Sequence, residues 1–276
     1  MVCLIPYYPQ PSFQLGPLTL HMFGILVACG ILLGAWVLGR RLRWHGVDAE
    51  LVGDYVLWIM IAGFVGAHLA DVLLYRPQAL AADPLLLLRI WDGISSYGGF
   101  LAALLAAVLY VRRRLPDRRT RWIWLDQTAY ALPFGWVFGR LGCFSAHDHP
   151  GVPSQFWLAV DFPPDYFGPG RGGPHLDLGL LEALFAAGIC ALLLVLGRRR
   201  RPVGFYLVLL PLLYAPVRFG LDFLRLPEVD ARYFGLTPAQ YLSILVAGLA
   251  LFALRVRPRE VAPEPPEPGA VARPAH

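Results

Sequence analysis

Seven stretches of the chain stay apolar for about 20 residues at a time, the length a helix needs to cross roughly 30 Å of hydrocarbon. They run over 18–39, 52–75, 94–112, 122–143, 177–197, 203–224 and 236–254. Between them the polar positions are dominated by arginine. Arg40, Arg41 and Arg43 follow the first run, six arginines lie in RRRLPDRRTR (112–121), GRRRR (197–201) follows the fifth run and RVRPRE (255–260) the seventh. Short loops rich in basic residues stay on the cytoplasmic side. The pattern therefore predicts an all-α, polytopic membrane protein with seven transmembrane helices, its N-terminus outside and its C-terminus cytoplasmic.

The same pattern divides the chain. Residues 1–17 form an outward N-terminal segment, 18–257 one membrane domain, and 258–276 a proline-rich cytoplasmic tail with nothing to bury, expected to be disordered. The N-terminus lacks a basic n-region and is broken by prolines, so it does not read as a cleaved signal peptide. The outward loop over about 144–176 differs from the others. It strings together HDHPG, FPPDYFGPGRGG and PHLD, turn formers mixed with acids and histidines, and reads as a lid or mouth for a site at the outer leaflet.

Composition agrees with the apolar pattern: 57% of the 276 residues are hydrophobic and 16% charged, with a mean hydropathy of +0.54. Soluble domains carry roughly 25% charged residues. All 24 basic residues are arginine, concentrated at helix ends, so the net positive charge describes topology and implies no nucleic-acid partner. Cys3, Cys29, Cys143 and Cys190 are scattered without CxxC spacing, which predicts neither a disulfide framework nor a thiolate metal site.

Ionisable groups inside membrane spans are costly and stand as functional candidates. They are His68 and Asp71 in the second span, Asp126 and Arg140 in the fourth, Glu182 in the fifth, and Arg218, Asp222 and Arg225 at the sixth. His68 and Asp71, spaced i, i+3, can bond on one helical face as a brace or as part of a site. Arg218, Asp222 and Arg225 form a stripe in which the acid can serve as an internal partner. Alternatively Arg140, Arg218 and Arg225 converge as guanidinium forks on a phospholipid phosphate, which their planar donor geometry suits. In WDGISSYGGF (91–100), Gly98 and Gly99 permit close approach of a helix or a lipid, and Tyr97 fits an interfacial aromatic belt.

The order of four segments, HMFG (21–24), GISSYGG (93–99), GRLGCFSAHDHPG (139–151) and VRFGLDFLRLPE (217–228), resembles the prolipoprotein diacylglyceryl transferase family over roughly 18–254. The resemblance implies that Arg140 is the family's phosphatidylglycerol-binding arginine, with Gly139, Gly142, Phe144 and Gly151 keeping its frame. It implies that Arg218 is the essential arginine of the sixth-span motif, with Asp222 in place of a glutamate and Arg225 and Pro227 matching directly. Departures accompany the matches. Cys143 and Ala146 stand for asparagines, Asp148 for glutamate, Tyr97 for a histidine often given a catalytic role, Phe23 for tyrosine and His68 for arginine.

The implied reaction moves a diacylglyceryl group from phosphatidylglycerol to the lipobox cysteine thiol of a prolipoprotein signal peptide, releasing glycerol phosphate. It needs an anion clamp for the departing phosphate and a base to make the thiolate. With Tyr97 unable to act as a base near neutral pH, that role is expected to pass to His147 or His149, which flank Asp148, or to His175 with Asp177. The expected site is therefore Arg140, Arg218, Tyr97, His147, Asp148 and His149 for catalysis, with Asp222, Arg225, Gly98, Gly99, Gly142 and Gly151 also lining the substrate. No cofactor is expected. Two rivals stay open: a divergent paralogue that binds phospholipid or modifies another acceptor, and a metal-dependent intramembrane enzyme. The second has zinc-type ligands in His147, Asp148, His149, His175 and Asp177, but no HExxH-like spacing, so no metal is expected. The predicted location is the bacterial inner membrane, with the active site toward the outer leaflet.

Overall fold

The computed structural model describes residues 5–89, 92–93, 95–226, 232–258 and 260. Seven long helices coincide with the seven apolar runs: α1 (Met22–Trp44), α2 (Val52–Ala70, extended by a wider turn to Tyr75), α4 (Ser96–Arg114), α5 (Arg118–Ala146), α6 (Leu178–Leu196), α7 (Phe205–Leu221) and α8 (Pro238–Val256). A six-residue α3 (Pro77–Ala82) precedes α4. Among the described residues, five of the seven long helices, α1, α2, α6, α7 and α8, are long and apolar enough to cross a membrane. Glycines, two tyrosines and terminal arginines dilute α4, while α5 contains Asp126, Arg140 and an arginine-rich start.

The all-α expectation is corrected by two small sheets. Strands β2 (Ser12–Leu15) and β3 (Leu18–His21) form a hairpin closed by Gly16 and Pro17, with Gly16 at φ +60, and lead straight into α1. The loop over about 144–176 is not irregular. It carries β4 (Pro150–Pro153), β5 (Val160–Phe162) and β6 (Gly173–Asp177), which with β1 (Ile5–Pro6) make a four-stranded sheet in the order β1-β5-β6-β4. These strands are short and proline-punctuated, so they lack the alternating run by which a strand is recognised in sequence. The tail falls almost wholly outside the described residues, as do Cys3, Trp91, Ile94 and Pro227.

The chain divides into two compact units. One comprises 1–34, 131–198 and 209–252, the other 35–130, 199–208 and 253–276. In the second unit α2 packs along α4 on small residues. A Cβ on Gly98 would come within 2.1 Å of the Ala70 Cβ and 2.5 Å of the Gly66 carbonyl oxygen, and one on Gly66 within 2.1 Å of the Ala102 Cβ. Small residues at such a seam let backbones approach where lipid offers no hydrophobic drive. Asp126, from the polar list, accepts from the backbone N–H groups of Tyr206 (2.7 Å) and Leu207 (2.9 Å) and so caps the start of α7. His68 and Asp71 do not pair with each other. His68 turns Nδ1 to the Gly93 carbonyl (3.2 Å) and Nε2 to that of Leu86 (3.1 Å), and Asp71 pairs with Arg76.

Gly98→Ala is expected to overpack this seam and lower stability by about 1–3 kcal/mol. Gly34→Ala, on α1 with open space around it, should gain the helix-propensity difference, up to about 1 kcal/mol. Thermal unfolding of the two variants in detergent separates them, and equal midpoints would contradict the close approach.

Candidate functional site

The first unit gathers a buried charge cluster from α5, α6 and α7. Arg140, near the end of α5, directs Nε to a Glu182 carboxylate oxygen at 3.0 Å, and its guanidinium lies 4.8 Å from the centre of the Trp136 ring, one turn earlier. Glu182, in the first turns of α6, offers its other oxygen to Arg218 Nε at 3.7 Å and accepts from the Tyr214 hydroxyl. Trp136 Nε1 donates to that same hydroxyl at 3.1 Å. Glu182 therefore sits between two guanidiniums, with an aromatic pair fixing the remaining face.

A second carboxylate extends the cluster. Asp222, fully buried, accepts from Arg218 Nη1 at 2.7 Å, i, i+4 along the chain, and lies 4.0 Å from Arg225 Nη1. The α7 helix tightens into a 3₁₀ turn over Asp222–Leu224, which carries Arg225 round to the same carboxylate. Thr237 also donates to Asp222, and it opens α8 with a capping box: the Thr237 N–H donates to Gln240 Oε1 (3.0 Å) and the Gln240 N–H to Thr237 Oγ1 (3.3 Å). Three guanidiniums against two carboxylates leave these five side chains with a net charge of +1 when all are ionised.

The end of α5 explains how the HDH segment meets this cluster. His147 takes the left-handed conformation, φ +50. Its N–H donates to Phe144 O (3.2 Å) and the Asp148 N–H to Cys143 O (3.4 Å). This is the Schellman closure, with histidine where glycine is usual. It folds Asp148 and His149 back over the Cys143 turn. His149 Nδ1 pairs with Asp148, and its Nε2 lies 3.5 Å from Arg140 Nη1, which is itself 3.9 Å from Cys143 Sγ.

The three candidate histidines thus separate by environment. His147 is buried, with Nδ1 2.8 Å from Asp177 and Nε2 3.2 Å from the Tyr8 carbonyl. Both ring nitrogens are therefore occupied. His175 is buried against Phe167 and Phe162, with Nδ1 on the Gly173 carbonyl at 3.0 Å. Asp177 starts α6 by accepting from Leu180 N–H (3.1 Å). The His149 side chain is 21% exposed and Asp148 42%, against 6% for His147, so the open pair is Asp148–His149.

Other expected residues take close-packing positions. A Cβ on Gly142 would meet the Phe23 ring at 3.1 Å, and one on Gly151 the Leu224 carbonyl at 2.9 Å. Gly151 bridges to Arg225, tying the lid to the arginine segment. Gly139 has open space around it. Tyr97, Gly98 and Gly99 lie in the second unit, Tyr97 half-buried in the first turn of α4 and the glycines along the α2–α4 seam. Glu182 was visible as an in-span acid without a role. Tyr214, Trp136, Thr237 and Gln240 carried no sequence signal, being ordinary residues of apolar helices and caps.

Replacing Glu182 by Gln should leave two buried guanidiniums without their shared anion. Losing one partner of a buried ion pair costs about 3–5 kcal/mol, so the thermal midpoint in detergent should fall steeply. An unchanged midpoint would mean that Arg140 and Arg218 do not depend on it.

The family model described as prolipoprotein diacylglyceryl transferase matches residues 10–256. A phosphatidylglycerol–prolipoprotein diacylglyceryl transferase of Pseudomonas putida is 32% identical over 257 residues, covering 88% of this chain and 94% of the relative. The enzyme of that name from Chromohalobacter salexigens is 32% identical over 247 residues, 87% and 90% of the two chains, and that of Pseudomonas fluorescens 31% over 260, 90% and 94%. The range matched by the family model includes Arg140, Glu182 and Arg218. The chain belongs to the prolipoprotein diacylglyceryl transferase family.

Proposed function

We propose that this protein transfers a diacylglyceryl group from phosphatidylglycerol to the lipobox cysteine thiol of prolipoproteins, releasing glycerol phosphate. The observation that carries this reading is the buried Arg140–Glu182–Arg218 cluster beside the Asp148–His149 pair, in a chain of this family. A phosphodiester carries one negative charge, which matches the cluster's net +1. Arg140 and Arg218 hold the phosphate, Arg225 supports Asp222, and Gly142 and Gly151 let the surrounding backbones close around them.

In the step itself the acceptor sulfur forms a bond to the glyceryl carbon while the carbon–oxygen bond to phosphate breaks. The thiol proton passes to His149, whose tautomer Asp148 orients, and the charge that grows on the departing phosphate is met by guanidiniums already in place. His147, tied to Asp177 and the Tyr8 carbonyl, holds the lid rather than the proton.

This reading includes a topology. All seven long helices span the bacterial inner membrane, with the arginine loops at 40–43, 112–121, 197–201 and 255–260 cytoplasmic. The β4–β6 lid then faces outward, where prolipoprotein signal peptides present their cysteine and phosphatidylglycerol enters sideways from the outer leaflet.

Two variants test the chemistry, with glycerol phosphate release from phosphatidylglycerol and a lipobox peptide as the readout. Arg140→Ala should lower release on the order of 10²-fold or more, the usual cost of losing a preorganised charge-stabilising donor. His149→Gln should lose less. A thiol of pKa about 8.5 is already a few per cent ionised at pH 7, so a base can gain at most roughly thirtyfold. That deficit should vanish as the pH rises past about 9. Release untouched by Arg140→Ala removes the clamp from the mechanism, and a His149→Gln deficit that persists at high pH removes the base.

A further inference from the structure

We infer that Cys143, Asp148 and His149 form a binding site for a thiophilic divalent transition-metal ion of the zinc class. Their ligand atoms, one sulfur, one carboxylate oxygen and one ring nitrogen, all lie within 4.8 Å of one another. A tetrahedral ion with metal–sulfur and metal–nitrogen bonds of about 2.3 and 2.0 Å holds such atoms about 3.5 Å apart. Closing the trio around an ion therefore takes shifts of roughly 1 Å, within reach of side-chain rotation. The mixed sulfur, nitrogen and oxygen set favours zinc, cobalt or cadmium over calcium or magnesium, which prefer oxygen alone.

Sequence spacing hides this site because its ligands belong to different structures. Cys143 is in the last turns of α5, and Asp148 and His149 return to it only through the left-handed turn at His147. The Asp148–His149 contact already presents the carboxylate and the ring on one side. Thiolate and carboxylate neutralise a divalent ion. The nearby Arg140 charge, 3.9 Å from Sγ, is met by Glu182. Three protein ligands leave a fourth position for water, as in zinc sites that are not purely structural.

The site has a consequence for the reaction, and this part rests on the reading of His149 as the base. A coordinated imidazole nitrogen has no lone pair left for a thiol proton. The loaded protein is then slower at transfer, and a metal ion acts as a brake on the site that holds the phosphate.

Titrating the purified full-length protein in detergent with Co²⁺ tests the binding directly. A sulfur-to-cobalt charge-transfer band should grow to one ion per chain and disappear on adding Zn²⁺. Cys143→Ser should abolish the band. His149→Gln and Asp148→Asn, at the open end of the turn, should each weaken binding at least roughly tenfold, the loss that even outer-shell changes bring. They keep the test valid if Cys143→Ser fails to fold. No band, or a band that survives Cys143→Ser and so belongs to another cysteine, overturns the site. Glycerol phosphate release with Zn²⁺ and with chelator separates the two readings: a band with unaffected release leaves the site standing and removes His149 as the base.

Discussion

The Glu182 carboxylate, shared between Arg140 and Arg218, is the interaction on which the site depends. Two guanidiniums held on one carboxylate repel each other, and more strongly where water is scarce. Neither helix would bring its arginine to that spot alone. An acid on α6, with one oxygen for each partner, makes their proximity favourable. Tyr214 and Trp136 then fix the acid's orientation through a chain of hydrogen bonds. Such a network holds when complete and fails when one member is removed.

From that centre the structure reaches outward in two directions. Through Arg218 and Asp222 it is coupled to the 3₁₀ turn that ends α7 and to the capping box that begins α8. Through Gly151 and Arg225 it is joined to the lid sheet, and the lid is pinned in turn by His147 on Asp177. The order of the β4–β6 sheet is thus tied to the buried charges. The carboxylates hold the arginines in fixed positions, and fixed charges are what electrostatic catalysis requires.

Much of this was legible in the sequence, for identifiable reasons. The seven apolar runs became seven helices with small shifts at their ends, because uninterrupted apolar length is a strong local signal. Arg140, Arg218, Asp222 and Arg225 stood out because charge inside such a run is costly. The sheet in the lid was not legible: its strands are two to five residues long and gain their pairing from segments far apart, with Ile5 beside Val160. The three histidines looked alike in sequence. Only the tertiary surroundings separate His147, held between a carboxylate and a carbonyl, from His149, open beside Arg140. The role of Glu182 was equally hidden, since its two partners lie 42 and 36 residues away in the chain. The glycine pair Gly98–Gly99 suited both lipid and helix, and the structure sets it against α2.

The central claim is that the arginines gathered on Glu182 recognise the lipid phosphate. Native mass spectrometry of the purified protein with phosphatidylglycerol, and with diacylglycerol, which shares the chains but lacks the phosphate, addresses it most directly when wild type is compared with Arg218→Gln. The account predicts that wild type retains phosphatidylglycerol in preference to diacylglycerol and that the substitution removes this preference while leaving diacylglycerol binding unchanged. Equal retention of phosphatidylglycerol by both proteins would contradict it.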